Sequence, residues 1–98
     1  MEGAWKGGLP LDGADSCVIK LQADTTFSAK CASAGIQMAG IYARRGDTLL
    51  IESRAYTYRN HPATSRPAFE FKLEGHGNQI TLLKDRERWT WTRLDRSN

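Results

Sequence analysis

Residues 16–31 alternate between apolar and polar side chains in two short runs that a turn separates. If residues 23–25 form that turn, side chains of the same parity along the two runs share one face. The opposed pairs are then Leu21 with Phe27, Ile19 with Ala29, and Cys17 with Cys31. A slip of one residue would put these apolar side chains in water, so the pattern predicts a β-hairpin of defined register.

Turn residues such as Gly, Asp, Asn and Ser recur about every ten residues, a spacing typical of all-β sandwiches and barrels. The runs between them predict eight strands, at residues 3–9, 17–22, 26–31, 36–43, 48–58, 68–73, 79–83 and 88–94. The one long link, residues 59–67, contains two prolines, which favour a loop there.

Along the predicted strands, mostly apolar residues occupy every second position, so they can point into one interior. Phe69, Phe71 and Leu73 alternate with polar residues, and Trp89 and Trp91 do the same on the last strand. We expect the pairs Met38 with Ser53, Gly40 with Ile51, and Tyr42 with Leu49 across the turn at residues 44–47. Short links place sequence neighbours side by side. The chain therefore predicts an all-β, eight-stranded antiparallel up-and-down meander, closed into one small barrel domain over residues 1–98.

The net charge is +3, with lysines and arginines spread along the chain. This charge weakly favours acidic partners and falls short of the clustering that nucleic-acid binding needs, so we expect no nucleic-acid partner. No apolar run is long enough for a transmembrane helix, and the first residues lack the apolar core of a signal peptide. The protein is expected to be a monomer, secreted or periplasmic if a signal peptide has been removed, and otherwise cytoplasmic.

The two cysteines, Cys17 and Cys31, can form one disulfide or remain as buried thiols. Their opposed positions favour the disulfide, which would stabilise the chain by about 3 kcal/mol on the loop-entropy model. A disulfide would indicate an oxidising compartment.

The sequence carries no convincing catalytic or metal-binding pattern. His61 and His76 lie in predicted loops, without cysteines or carboxylates at ligand spacing. Both cysteines belong to the predicted core face, which excludes them as exposed nucleophiles. We therefore expect a protein that is not an enzyme and that binds no metal and no cofactor.

Large inward side chains raise the question of whether the barrel holds a ligand. The candidates for lining a cavity are Trp5, Met38, Tyr42, Phe69, Phe71, Trp89 and Trp91. An eight-stranded barrel is just wide enough to be filled by side chains or to hold one small apolar ligand. Because so many large side chains point inward on short strands, a packed core is favoured, and a ligand cavity is the alternative.

The stretch from Arg54 to Arg66 interleaves basic and aromatic residues. This composition is enriched at protein–protein hot spots. The candidate partner-binding residues are Tyr56, Tyr58, Arg59, His61 and Arg66. The alternative is a solvated strand end followed by a rigid loop.

Gly3-Ala4-Trp5 on the first predicted strand, with Arg93 on the last, resembles the calycin, or lipocalin-like, pattern. The resemblance implies that the G-x-W tryptophan closes one end of the barrel and that the last-strand arginine packs across it. A guanidinium stacks well on an indole and shields it from water. We therefore expect a lipocalin-like barrel with Trp5 against Arg93.

A second resemblance is to the bacterial inhibitors of secreted alkaline metalloproteases, which are small eight-stranded barrels with one disulfide. It rests on G-x-W followed by Cys17-Val18-Ile19-Lys20-Leu21, which is similar to their C-x-I-x-L strand, and on the second cysteine. The function expected from the sequence is a non-catalytic, lipocalin-like binding module. It would bind a small apolar ligand in the barrel or a protein partner through its loops; the alternative is a secreted or periplasmic protease inhibitor.

Overall fold

A computed structural model describes residues 2–94 of the chain. Its strands are β1 (Gly3–Gly7), β2 (Cys17–Leu21), β3 (Thr26–Cys31), β4 (Ile36–Arg45), β5 (Thr48–Tyr58), β6 (His61–Pro62), β7 (Ala68–His76), β8 (Gln79–Lys84) and β9 (Glu87–Arg93). A 3-10 turn, Ala32–Ala34, joins β3 to β4. The alternating pattern thus yields an all-β structure, as predicted.

The strands close into the predicted eight-stranded antiparallel barrel. From β1 to β5 and from β7 to β9, each strand pairs with the next in sequence; β5 pairs with β7, and β9 returns to pair with β1. The two-residue strand β6 is added to β5 outside this circuit. Links β2–β3, β4–β5 and β7–β8 lie at one end, here called the upper end, and the remaining links lie at the lower end. Closure pairs the strand edges that would otherwise be free to associate with other chains.

The β2–β3 hairpin has the predicted register. Ile19 faces Ala29 and Leu21 faces Phe27. In the turn, the Asp24 carboxylate accepts hydrogen bonds from the Thr26 hydroxyl at 2.6 Å and the Thr26 amide at 3.1 Å. These bonds favour the charged form and lower the pKa of Asp24. The turn therefore has its own polar contacts, which support the register that the apolar face requires.

Cys17 and Cys31 form the predicted disulfide at the lower end of this hairpin, with their Cα atoms 4.2 Å apart. Both residues are fully buried. The bridge therefore joins the ends of two neighbouring strands inside the core.

The barrel interior is filled by the inward side chains of all eight strands. The buried apolar residues include Trp5, Ile19, Leu21, Phe27, Ile36, Met38, Leu49, Ile51, Phe69, Phe71, Leu73, Ile80, Leu82 and Trp91. Phe71 contacts Phe69, Trp89 and Trp91, with ring centroids 5.8, 5.8 and 6.4 Å apart. The predicted inward set is confirmed on β7, and on β9 Trp91 is buried while Trp89 is only partly buried.

Strand β1 ends at Gly7, two residues earlier than predicted. The Leu9 amide donates to the Ala14 carbonyl at 2.9 Å, so this part of the chain folds on itself rather than pairing with β2. Leu9 and Ala14 are buried, and the Trp91 indole N–H donates to the Gly8 carbonyl at 2.9 Å. Residues 8–16 thereby cover the lower end of the barrel.

The predicted pairing of β4 with β5 is wrong by two residues. Gly40 faces Ser53, Tyr42 faces Ile51, and pairing continues to Arg45 and Thr48. The reason is a tight two-residue turn in which Gly46 adopts φ 60°, a conformation that suits glycine at this place in a hairpin. The register also shifts between Ala39 and Gly40, where β5 carries one extra residue as a β-bulge.

Gly40 lies where the backbones of β4 and β5 approach closely, so we expect Gly40→Ala to destabilise the barrel. An added Cβ would clash with the Glu52 carbonyl oxygen and lie 2.9 Å from the Arg54 nitrogen and the Ser53 Cα. Overpacking of this kind costs about 1–3 kcal/mol. Urea unfolding measures the loss, and Ala39→Ser at the exposed neighbouring position should change stability by less than about 0.5 kcal/mol. Equal stability of the two variants would contradict the close approach.

Residues 59–67 are not entirely the loop that the prolines predicted. His61 pairs with Tyr58 and Pro62 with Thr57, which makes a second, short hairpin at the lower end. Pro62 is tolerated because β6 is an edge strand. Residues 63–67 then return to β7, and two hydrogen bonds hold them. The Ala63 amide donates to the Tyr56 carbonyl at 2.9 Å, and the Ser53 amide donates to the Pro67 carbonyl at 3.0 Å.

Candidate functional site

The β5–β6 hairpin turns on two residues that are neither glycine nor proline. Arg59 has φ 53° and Asn60 has φ 65°, both in the left-handed region. Two-residue hairpin turns of type I′ need this conformation at both central positions, and they usually contain Asn, Asp and Gly. Asn60 matches that preference. Arg59 does not, since a left-handed backbone costs a residue with a Cβ roughly 1–2 kcal/mol.

The tip of this hairpin is fixed to the 3-10 turn that joins β3 to β4. The Arg59 amide donates to the Ala34 carbonyl at 3.2 Å, and the Asn60 amide donates to the Gly35 carbonyl at 3.0 Å. Gly35 itself has φ 62°, and a Cβ there would lie 2.9 Å from the Asn60 side chain. Two hydrogen bonds thus hold the tip, and Gly35, which has no Cβ, lets the Asn60 side chain lie close to the 3-10 turn.

Tyr56, Tyr58, Arg59 and His61 form one cluster on this hairpin, here called the hairpin surface. The Tyr56 and Tyr58 rings are 6.3 Å apart, and the Arg59 guanidinium carbon lies 5.4 Å from the Tyr58 ring centre. His61 is exposed on the strand paired with Tyr58. Four of the five predicted partner-binding residues are therefore close together.

The electrostatics of the hairpin surface are set by Tyr58 and by partial burial. A side-chain hydrogen bond to Tyr58 is the main cause that raises the pKa of Arg59, followed by the charge interaction with the same residue. Burial is the main cause that raises the pKa of Tyr56. At neutral pH the cluster therefore presents the neutral Tyr56 phenol beside the Arg59 cation.

Two features of the cluster differ from the sequence prediction. Tyr56 and Tyr58 are half-buried and pack against the barrel core, so part of each ring is structural rather than exposed. Arg66 is exposed on the return loop, and among residues 2–94 no hydrogen bond or ion pair is found between it and the hairpin surface. The exposed polar groups that a partner would meet first are Arg59 and His61.

A polar cleft of about 410 Å³ adjoins the hairpin surface. Its lining includes Asp12, Ser33, Gly35, Arg59 and Asn60. Asp12, Ser33 and Asn60 were not among the predicted site residues, because each lies in a segment that a turn or loop explains. The signal that could have indicated the place is Tyr58-Arg59-Asn60-His61, an asparagine-containing pair between two strand-forming residues.

The seven predicted cavity-lining residues mostly lie in the packed core. Trp5, Met38, Phe69, Phe71 and Trp91 are buried, and Tyr42 and Trp89 are partly buried. The Ser53 hydroxyl donates to the Met38 sulfur at 3.4 Å, and the Tyr42 hydroxyl donates to the Gln22 carbonyl at 2.8 Å. These side chains thus have protein partners, and their role in ligand binding stays a prediction.

Trp5 and Arg93 meet at the upper end, as predicted. The Arg93 guanidinium carbon lies 4.3 Å from the Trp5 ring centre, and one of its nitrogens donates to the Glu2 carbonyl at 2.8 Å. A cleft of about 240 Å³ beside this contact is lined by Trp5, Arg44, Leu73, Gly75, Gly77, Ile80 and Arg93.

Within residues 2–94, no group of three or more His, Cys, Asp or Glu residues is placed to hold a metal ion. No helix in that part of the chain is long and apolar enough to cross a membrane. Comparisons of the chain with protein-family models, with curated proteins and with solved structures gave no match. The fold and the site together define a disulfide-bonded, eight-stranded β-barrel with an aromatic and cationic hairpin at its lower end.

Proposed function

We propose that this protein is a non-catalytic binding module that recognises a protein partner through the hairpin surface. The observation that carries the proposal is Arg59, a large cationic residue in a left-handed turn position that favours Asn or Gly. Its guanidinium lies against Tyr58, at the solvent-exposed tip of the hairpin. A residue that costs stability at its own position is expected to serve a role other than folding.

The hairpin surface has the composition and the rigidity that protein recognition requires. Tyrosine and arginine are the residue types most enriched, with tryptophan, among interface hot spots. Because the tip is already hydrogen-bonded to the 3-10 turn, little conformational freedom remains to be lost on binding. The adjoining polar cleft, with Asp12 and Ser33 in its wall, offers groups for hydrogen bonds at the rim.

The core packing supports a protein partner over a ligand inside the barrel. Phe71 contacts both Phe69 and Trp91 inside the barrel. If the barrel is filled, fatty acids and retinoids should leave the tryptophan emission unchanged. A saturable one-to-one response to such a ligand, abolished by a larger side chain beside Met38, would favour the small-ligand alternative.

Site-specific photo-cross-linking tests the proposal and captures the partner in the same step. A benzophenone amino acid replaces His61 in one variant and exposed Lys72, on β7, in another. Both variants are expressed in the native cells and irradiated. We expect one defined protein adduct from position 61 and none of the same mass from position 72. Identical adducts from both positions, or none from position 61, would exclude the hairpin surface as the interface.

Once the partner is identified, Arg59→Asn should separate binding from folding. Asn adopts the left-handed conformation more readily than Arg, so thermal stability should be equal or slightly higher. Loss of the guanidinium should weaken partner binding by about 1 kcal/mol or more if Arg59 is a hot spot. Titration calorimetry measures both affinities, with Lys72→Ala as the control. Unchanged affinity of the Arg59→Asn variant would remove Arg59 from the proposed interface.

Protease inhibition is a narrower form of the same proposal. It is supported by the Cys17–Cys31 hairpin, which together with the G-x-W motif carried the resemblance to the metalloprotease inhibitors. An oxidising location, periplasmic or extracellular, accords with the disulfide. Stoichiometric inhibition of a secreted zinc metalloprotease would support this form, and unimpaired proteolysis with an excess of the protein would exclude it for the enzyme tested.

A further inference from the structure

The strand pairing gathers cations from four distant parts of the sequence on one side of the barrel. Strands β9, β1, β2 and β3 are consecutive neighbours in the barrel wall. Their outward positions hold Arg88, Thr90, Thr92, Ala4, Lys6, Val18, Lys20, Thr26, Ser28 and Lys30. This set contains four cations and no carboxylate. Positive charge is therefore concentrated on this side of the barrel, although the lysines and arginines are spread along the sequence.

Val18 lies at the centre of this side of the barrel. It pairs with Lys6 on one neighbouring strand and with Lys30 on the other. At the usual strand spacing, the two lysines are about 10 Å apart at their backbones. Lys20, two residues along β2, pairs with Ser28. We call Lys6, Val18, Lys20, Lys30 and Arg88 the lysine face.

The ion pairs of the barrel lie away from the lysine face. Within residues 2–94 the ion pairs found are Arg54 with Glu52 and Lys84 with Asp85, and neither includes a cation of this face. The outward positions of β5 and β7, by contrast, include Glu52, Glu70 and Glu74. One side of the barrel wall therefore carries an excess of positive charge, while these carboxylates lie on the other.

We propose that the lysine face adsorbs to the surface of an anionic lipid bilayer. Lys6, Lys20 and Lys30 lie on the adjacent strands β1, β2 and β3, a strip about 10 Å wide, and Arg88 lies four residues along β9 from the partner of Lys6. The long lysine stems let the three ammonium groups reach a flat surface that lies against these strands. Each lysine near an anionic leaflet adds to the attraction, so several together are enough for reversible adsorption.

The composition of the lysine face favours lipid headgroups over nucleic acid. The face has no aromatic side chain on which a base could stack, and three of its four cations are lysines rather than the bidentate arginines that read base edges. Val18 is 37% exposed at its centre. A small apolar side chain among cations suits the boundary between headgroups and acyl chains.

Co-sedimentation with vesicles tests the adsorption. The probes are vesicles of phosphatidylcholine mixed with phosphatidylserine, and vesicles of phosphatidylcholine alone. We expect binding to the mixed vesicles at low salt, its loss at high salt, and none to the neutral vesicles, because screening weakens attraction between exposed charges. No binding to the mixed vesicles at low salt would overturn the proposal.

Two charge-matched variants then locate the surface. Lys6→Gln/Lys20→Gln/Lys30→Gln removes three cations from the lysine face, and Arg45→Gln/Arg54→Gln/Lys72→Gln removes three from β4, β5 and β7. The first should lower the partition coefficient by roughly fivefold for each lysine, about 100-fold in total, and the second by much less. Thermal unfolding verifies that both variants fold.

Val18→Glu adds a test that keeps all cations in place. It introduces a carboxylate at the centre of the lysine face, and Thr81→Glu places one on the outward side of β8 as the control. We expect only Val18→Glu to reduce vesicle binding. Equal losses within either pair of variants would indicate a net-charge effect and overturn the proposal. Binding to a DNA duplex or to a sulfated polysaccharide, without binding to vesicles, would overturn it as well.

Discussion

Phe71→Ala is expected to lower the free energy of unfolding by about 3–5 kcal/mol. Phe71 is 1% exposed, and its ring contacts Phe69, Trp89 and Trp91. Truncation removes the buried ring and leaves a cavity that strands on both sides of the barrel cannot close, because their backbones are held by hydrogen bonds to neighbouring strands.

Urea unfolding followed by far-UV circular dichroism measures this loss. Lys72→Ala is the matched control, since Lys72 follows Phe71 on β7 but is exposed. The control should change stability by less than about 0.5 kcal/mol. A loss below about 1 kcal/mol for Phe71→Ala would mean that the barrel interior is loosely packed, and would return attention to a ligand cavity.

Cys17→Ala/Cys31→Ala is expected to lower the free energy of unfolding by about 3 kcal/mol. The bridge spans a sequence separation of 14 residues, so it restricts the unfolded chain over the whole β2–β3 hairpin. Since a small barrel has a small core, this contribution is a large fraction of its stability. The alanines avoid burying unpaired hydroxyl groups, which serine would introduce.

The comparison is between oxidised wild type, reduced wild type and the double variant. Reduced wild type and the double variant should have similar midpoints, both below that of the oxidised protein. Thiol titration of the denatured, non-reduced protein should find no free cysteine. Two titratable thiols in protein from an oxidising compartment would mean that the bridge does not form.

The two proposed binding surfaces are independent. The hairpin surface lies at the lower end of the barrel, and the lysine face lies on the wall formed by β9, β1, β2 and β3. Arg59→Asn should leave vesicle adsorption unchanged, and the triple lysine variant should leave the cross-link at position 61 unchanged. A module with both surfaces would hold its protein partner beside a membrane.

Much of the fold could be predicted because its causes are local. The β2–β3 register followed from two-residue alternation and one turn, since any slip exposes Ile19, Leu21 and Phe27. Strand order followed from link length, because short links leave sequence neighbours no other place to pair. The Trp5–Arg93 contact followed from a motif whose two parts lie on strands that must meet when the barrel closes.

Only the tertiary structure decided the bulge at Gly40, the turn at Arg59 and the lysine face. The bulge shifts pairing in the middle of β4 and β5, where the alternation on either side remains regular. Arg59 is left-handed because its amide and that of Asn60 bond the turn after β3, a contact far away in sequence. Lys6, Lys20 and Lys30 become neighbours only through the register of β1, β2 and β3, and closure of the barrel places Arg88 on the next strand. Hydrophobic periodicity defines which way a side chain points, whereas long-range pairing determines which outward side chains share a surface.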